Sequence, residues 1–344
     1  MSEHLNLYDR VLGSIYGVAV GDALGMATSF LTPEQIREQF GDWVDTFHDP
    51  EPGHIFHDGL KAGEYTDDTE QTVAIMNSFI KYHKVVPEDI VSEILAWAER
   101  VKDKYASPLG PSTERALKSI KAGGSYEDTG KRGNTNGSAM RIAPVGIVHG
   151  ILGSTLQEMM PDLVLVCKPT HNTPAAIGSA AAIAWGIAKA IQGESDYRAL
   201  LDEMVTACIE GEKYGEPWVG ARVSTRMKWA IDTALHATDD RQTMRELYEM
   251  IGGCDLCADS IPLAVGMYAL AGGDTIKTLE YCVNCGGDCD TNACMVGAIA
   301  GAVGGAGSFR PDWIKTVEEK NPTDYKDYAQ KMIEVAGQWE KATF

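Results

Sequence analysis

A chain of 344 residues, 44% of them hydrophobic and 8% aromatic, has ordinary globular composition and enough length for a large core. Asp and Glu outnumber Lys and Arg by 49 to 30, a net charge of −19, and no basic stripe interrupts the excess, which argues against a nucleic-acid groove. No window reads as the roughly 18 apolar residues of a membrane span, so neither nucleic acid nor a membrane is an expected partner.

The start, MSEHLNLYDR, lacks the basic residues and apolar run of a secretory signal. With that start, the eight cysteines are expected to be reduced thiols in a cytoplasmic protein. Leu5–Met26 then reads as one helix. It carries Gly13, Gly17, Gly21 and Gly25 at four-residue spacing, so all four fall on nearly one face. Giving up helix propensity four times makes sense if another backbone comes close there.

The irregular stretch Asp42–Gly63 holds His48, His54 and His57, which read as residues of a solvated loop. Its Trp43, Phe47 and Phe56 either anchor the loop or cover a nucleobase. YTDDTEQT follows, residues 65–72. A capping box explains Asp67 with Glu70 reaching back, but it leaves the adjacent carboxylate of Asp68 without a purpose. Helices are predicted at Thr69–Lys81, Ile90–Val101 and Ser112–Ala122. A second long loop, Gly123–Arg141, contains GNTNGSAMR, whose Asn-Gly and Gly-Ser pairs are turn material.

Leu163–Val166 has the composition of a strand but stands alone, too short to imply a sheet. His171 precedes a helix opened by Pro174, where a cap or a core hydrogen bond competes with a substrate contact. Further helices are predicted at Pro174–Ile191, Tyr197–Gly211, Thr225–His236, Arg241–Ile251, Ile261–Ala271, Ile276–Cys285, Asp312–Lys320 and Tyr325–Lys341. Cys254-x-x-Cys257 and Cys282-x-x-Cys285 have the form of zinc half-sites. Their 24-residue separation is long and the second pair follows a helical pattern, so small buried side chains are expected instead.

CGGDCDTNA, residues 285–293, repeats the puzzle of the acid pair. Gly286 and Gly287 stop one helix, and Asp288 or Asp290 caps the next, which carries Ala293, Gly297, Gly301 and Gly305 as a second small-residue stripe. Either the two stripes pack together, or each meets a bulky side chain instead. Each helix start again holds one carboxylate too many, beside Thr66 and Thr291. Oxygen-only donors suit Mg²⁺ or Mn²⁺. Four carboxylates are enough for two ions about 3.5–4 Å apart, provided the segments meet. With no βαβ alternation and no linker, the expectation is a single all-α domain over residues 1–344, a compact multi-helix bundle.

At these residues the chain resembles the ADP-ribosylglycohydrolase family. The resemblance runs in order through GSIYGVAVGDALG (13–25), YTDDT (65–69), GNTNGSAMRIAPVG (133–146), THNTP (170–174) and GGDCDT (286–291). It implies an all-α hydrolase with two Mg²⁺ or Mn²⁺ ions, acting at the anomeric carbon of a ribose in an ADP-ribosyl substrate, on a modified protein or a related conjugate. It implies metal ligands at Thr66, Asp67, Asp68, Asp288, Asp290 and Thr291, with catalysis drawn from the four aspartates. Substrate contacts are implied at Asn136, Gly137, Ser138, Met140, Arg141 and His171, and Asp22 is expected behind the ligands. Two departures stand out: Thr173 where many members have a second histidine, and Ser29 near where a loop glutamate often falls. Rival readings are hydrolysis of a small nucleoside or nucleotide, two-metal phosphate-ester hydrolysis, and a non-catalytic ADP-ribose-binding protein.

Overall fold

A computed structural model describes residues 5–102 and 109–344, which form 18 α-helices, two 3₁₀ turns and no strand beyond two isolated bridges. In chain order the helices are α1 (Leu7–Gly25), α2 (Pro33–Phe40), α3 (Asp67–Tyr82), α4 (Pro87–Val101), α5 (Pro111–Lys121) and α6 (Tyr126–Thr129). Then come α7 (Gly137–Met140), α8 (Ala143–Ile151), α9 (Leu156–Cys167), α10 (Pro174–Ile191), α11 (Tyr197–Gly211) and α12 (Val223–Leu235). The last six are α13 (Asp240–Ile251), α14 (Cys257–Leu270), α15 (Thr275–Asn284), α16 (Cys289–Gly304), α17 (Pro311–Lys320) and α18 (Tyr325–Ala336). The all-α expectation holds.

The two small-residue stripes meet and fix the centre of the fold. A Cβ added to Gly13 would lie 2.1 Å from the carbonyl oxygen of Gly301, and one on Gly17 2.0 Å from that of Gly297. One on Gly21 would lie 2.4 Å from the Ala293 oxygen, and one on Gly25 2.5 Å from the Asp290 backbone. α1 and α16 are therefore in backbone contact along their length, and a side chain at any of the four α1 glycines forces them apart. α10, rich in alanine, packs on α8, α11 and α16. One hydrophobic core runs through all these helices.

Two helical stretches are long and apolar enough for a membrane, contrary to the sequence expectation: Leu7–Thr28 and Pro174–Ile191. Both are core helices, with 100% and 83% of the apolar window buried inside the protein. Leu163–Val166 is not a strand; it lies inside α9, whose start carries a capping box between Thr155 and Glu158. The Gly123–Arg141 stretch is less irregular than expected, since α6 and α7 each give it one helical turn. Of the two cysteine pairs, Cys257, Cys282 and Cys285 are buried as expected, whereas Cys254 is exposed. Cys257 donates to the Thr135 carbonyl at 3.0 Å and Cys285 to the Cys282 carbonyl at 3.1 Å, both buried.

Candidate active site

The first turn of α3 is capped from another helix. Thr66 holds the N-cap position without a side-chain capping bond, and Asp67 is already inside the first turn, so the expected Asp67–Glu70 box does not form. Asp22, from α1, supplies the acceptors instead. It takes the Thr66 N–H at 2.9 and 3.0 Å, the Thr69 N–H at 3.0 Å and the Thr69 hydroxyl at 2.6 Å. Orphan donors and the positive end of the helix dipole both favour a carboxylate there. The contact pins α3 to α1 and leaves Asp67 and Asp68 free to face the interior of a cleft.

The second acid pair arrives on a turn that only glycine tolerates. Gly286 and Gly287 have φ of 87° and 86°, and a Cβ on Gly287 would lie 2.3 Å from the Gly253 oxygen. That same oxygen accepts the Asp288 N–H at 2.6 Å. On the opposite side, the Gly287 carbonyl accepts the Phe30 N–H at 2.5 Å and the Gly287 N–H donates to Leu31 at 2.9 Å. Clamped on both flanks, the turn sets Asp288 at the N-cap position of α16 and Asp290 in its first turn.

The four aspartates of the two motifs line one cleft. Carboxylate oxygens of Asp22, Asp68 and Asp290 lie within 4.8 Å of one another. Asp290 is held on several sides. Ser29 Oγ donates to its Oδ1 at 2.5 Å, Thr291 N–H donates to the same atom at 2.9 Å, and His57 Nε2 stands 2.8 Å from Oδ2. The histidine contact has ion-pair distance without hydrogen-bond angles. Asp288 Oδ2 accepts from Asn136 Nδ2 at 2.6 Å. Thr66 Oγ1 donates to Asp68 Oδ2 at 3.2 Å, while Asp68 Oδ1 is buried without a partner.

So many acids in one place shift each other. Burial first, then the charge of Asp290, pushes Asp22 and Asp67 up to about 7. Asp67 lies deep in the body of the protein even though part of its surface opens to the cleft. Burial again leads in raising Asp68 and Asp288 well above the carboxylate range, with Asp22 and Asp290 as their respective next causes. Asp290 moves the other way: burial raises it, but the close contact with His57 and the imidazole's charge prevail and hold it low. Burial likewise pulls His57 down, and Asp290 outweighs it to push the imidazole up.

Among the described residues lining the cleft, His57 is the one basic side chain against Asp67, Asp68, Asp255, Asp288 and Asp290. Hard oxygen donors, an acid excess and an orphan carboxylate oxygen are what a divalent cation requires. The residues present fit such a group.

The cleft has a volume of about 630 Å³, its open mouth included, and its outer wall is apolar: Phe30, Phe56, Leu109, Pro111 and Met140. Phe30 and Phe56 form an aromatic pair with centroids 4.5 Å apart, and Phe30 holds a left-handed φ of 58°. Such a backbone costs roughly 1–3 kcal/mol and survives where surrounding structure enforces it.

Of the predicted substrate residues, Asn136, Gly137 and Met140 line the cleft with Thr291. Ser138, Arg141 and His171 are instead buried behind its wall. Ser138 donates to the Ala176 carbonyl, Arg141 to Gln71 and Thr170, and His171 packs so tightly on Gly137 that a Cβ there would meet its ring at 2.9 Å. Burial first, then the Arg141 charge, pushes His171 well below its usual range. His57, expected in solvent, is buried at the centre, and His54 stacks on it at 5.1 Å while bonding the Ser29 carbonyl. Trp43 is an anchor away from the cleft, bonded to Glu280 and edge-on to Tyr281. Asp255 and Phe30, which line the cleft, carried no sequence signal.

Comparison with known proteins agrees with this architecture. Residues 3–342 match the ADP-ribosylglycohydrolase family. The chain is 29% identical over 336 residues to the protein YegU of Escherichia coli (strain K12), covering 96% of this chain and 98% of that one. It is 25% identical over 336 residues, with the same two coverages, to the ADP-ribosyl-[dinitrogen reductase] glycohydrolase of Rhodospirillum rubrum. A solved structure titled as an ADP-ribosylglycohydrolase-related protein complex superposes with a TM-score of 0.68 at 22% identity, over 96% of this chain and 99% of that one. The chain therefore belongs to the ADP-ribosylglycohydrolase family, hydrolases that act on the glycosidic linkages of ADP-ribose.

Proposed function

We propose that the cleft releases ADP-ribose from a modified protein side chain by hydrolysing the bond at the ribose anomeric carbon. The observation that carries this reading is the convergence of Asp67 and Asp68 from α3 with Asp288 and Asp290 from α16 around a buried, unpartnered carboxylate oxygen. Thr66, Asp67, Asp68, Asp288, Asp290 and Thr291 would hold two Mg²⁺ or Mn²⁺ ions. When bound, these ions supply positive charge that orients ribose hydroxyls and acidifies a water.

The protein's own groups do the rest. Ser29, His57 and the Thr291 N–H fix the rotamer of Asp290, and Asn136 fixes that of Asp288. One of the cleft aspartates, kept ionised by the bound ions, would take the proton from the attacking water. The ring of carboxylates stabilises positive charge as it develops on the sugar when the leaving group departs. Ser29 has no carboxylate to contribute, so proton transfer falls to aspartates already in the cleft. Phe30 and Phe56, their rings tilted by 59° to one another, give an apolar wall against which a nucleobase can rest.

The test is incubation with ADP-ribosyl-arginine, ADP-ribosyl-serine and a nucleoside panel, in Mg²⁺ or Mn²⁺ and in chelator, read by chromatography. Metal-dependent release of ADP-ribose is expected. Release of a free base from the nucleosides alone would assign a small ribosyl substrate, release of phosphate a phosphate-ester hydrolase, and binding without any turnover a non-catalytic protein.

A further inference from the structure

Arg141 is a buried cation without a carboxylate beside it. It is 1% exposed, its Nε has no partner, and its other donors reach only neutral groups, Gln71 Oε1 and Thr170 Oγ1. A guanidinium withdrawn from water costs several kcal/mol unless its charge is answered nearby. Gln71 provides the answer, because its Nε2 donates to Asp67 Oδ2 at 2.8 Å.

The direction of the bonds on the Asp67 side is fixed by chemistry. Arginine only donates and an ionised carboxylate only accepts, so the Gln71 amide can sit one way round. On the far side, Thr170 Oγ1 accepts from Arg141 and also lies 2.7 Å from His171 Nδ1. His171 Nε2 in turn shares a hydrogen bond with Thr135 Oγ1 at 3.0 Å, and Thr135 lines the cleft. A continuous brace thus runs behind the wall from Asp67 to Thr135.

We propose that Arg141 is a positioning residue of the acidic cradle and not a substrate contact: acting through Gln71, it orients Asp67 and balances its charge. This rests on the reading of the cradle as a divalent-metal site. The direct test is titration with Mn²⁺, following free ion by electron paramagnetic resonance, on wild type, Gln71→Met and Arg141→Lys.

Gln71→Met keeps the buried volume and removes both bonds of the relay. Its Mn²⁺ affinity is expected to fall about 10- to 100-fold, the usual range for residues supporting a metal ligand. Turnover lost at limiting Mn²⁺ should return when the ion is raised, and Arg141→Lys should fall in between. Should Gln71→Met not fold, Arg141→Lys decides. Equal affinity of the folded variants and wild type would overturn the proposal and leave the cradle standing. A wild-type protein that takes up no Mn²⁺ would overturn both.

Discussion

Asp290 is held by Ser29, Thr291 and His57 at once, and its replacement is the sharpest single-residue probe. Asp290→Asn keeps the size and can keep an oxygen toward Ser29 and Thr291, but it loses the charge and the acceptor opposite His57. Turnover in saturating Mg²⁺ should fall by about a thousandfold or more, since metal-borne charge stabilisation is worth several kcal/mol. A variant with near wild-type kcat would remove Asp290 from the site. His171 offers a probe of a different kind. Its folded form is held well below the ordinary imidazole range, so between that value and about 6.5 the unfolded chain binds more protons. Stability is then fully present above pH 6.5 and is lost below it, by at most about 1.4 kcal/mol per pH unit. Urea melts at pH 7.5 and 5.0 should show a smaller acid loss in His171→Asn than in wild type, and identical losses would contradict the burial argument. The surplus aspartates were legible because a helix cap explains only one carboxylate. His57 was not, because nothing within its own loop reports a partner on α16.

At the scale of elements, the seam between α1 and α16 makes the strongest claim. Gly17→Ala gains roughly 1 kcal/mol of helix propensity but places a methyl 2.0 Å from a carbonyl oxygen that belongs to a facing backbone. The net result should be a destabilisation of about 1–3 kcal/mol, measured by denaturant melts. Gly25→Ala sits at the acidic end of the seam, against the Asp290 backbone, and should weaken Mn²⁺ binding as well as stability. Gly17→Ala with unchanged stability would mean that the helices are not in backbone contact. The four-residue glycine spacing let this pairing be read from sequence. Leu163–Val166 misled, since four apolar residues fit strand and helix alike. The Thr155/Glu158 capping box marks that helix, but Pro161 lies inside it. The cap on α3 was illegible for another reason: it comes from Asp22, on a different helix.

Taken whole, the molecule concentrates five buried or half-buried acids, Asp22 included, at the centre of a chain with net charge −19. Such a centre is strained by its own charge until cations enter, so the ions should act as folding ligands. At a hundred times its Kd, one ion adds about 2.7 kcal/mol, and the midpoint of thermal unfolding should rise with Mg²⁺ or Mn²⁺ and drop in chelator. Calorimetry with no such shift would argue that the acids sit unneutralised by metal. The order of the motifs along the chain made the family readable, whereas the cleft's shape depends on where Phe30, Asp255 and the 42–63 loop fold back, which no local pattern encodes. The most direct measurement is anomalous diffraction from crystals grown in Mn²⁺. The account predicts a peak within about 2.0–2.3 Å of oxygens from both Asp68 and Asp290, distances usual for small hard cations. Saturating Mn²⁺ with no peak between α3 and α16 would contradict it.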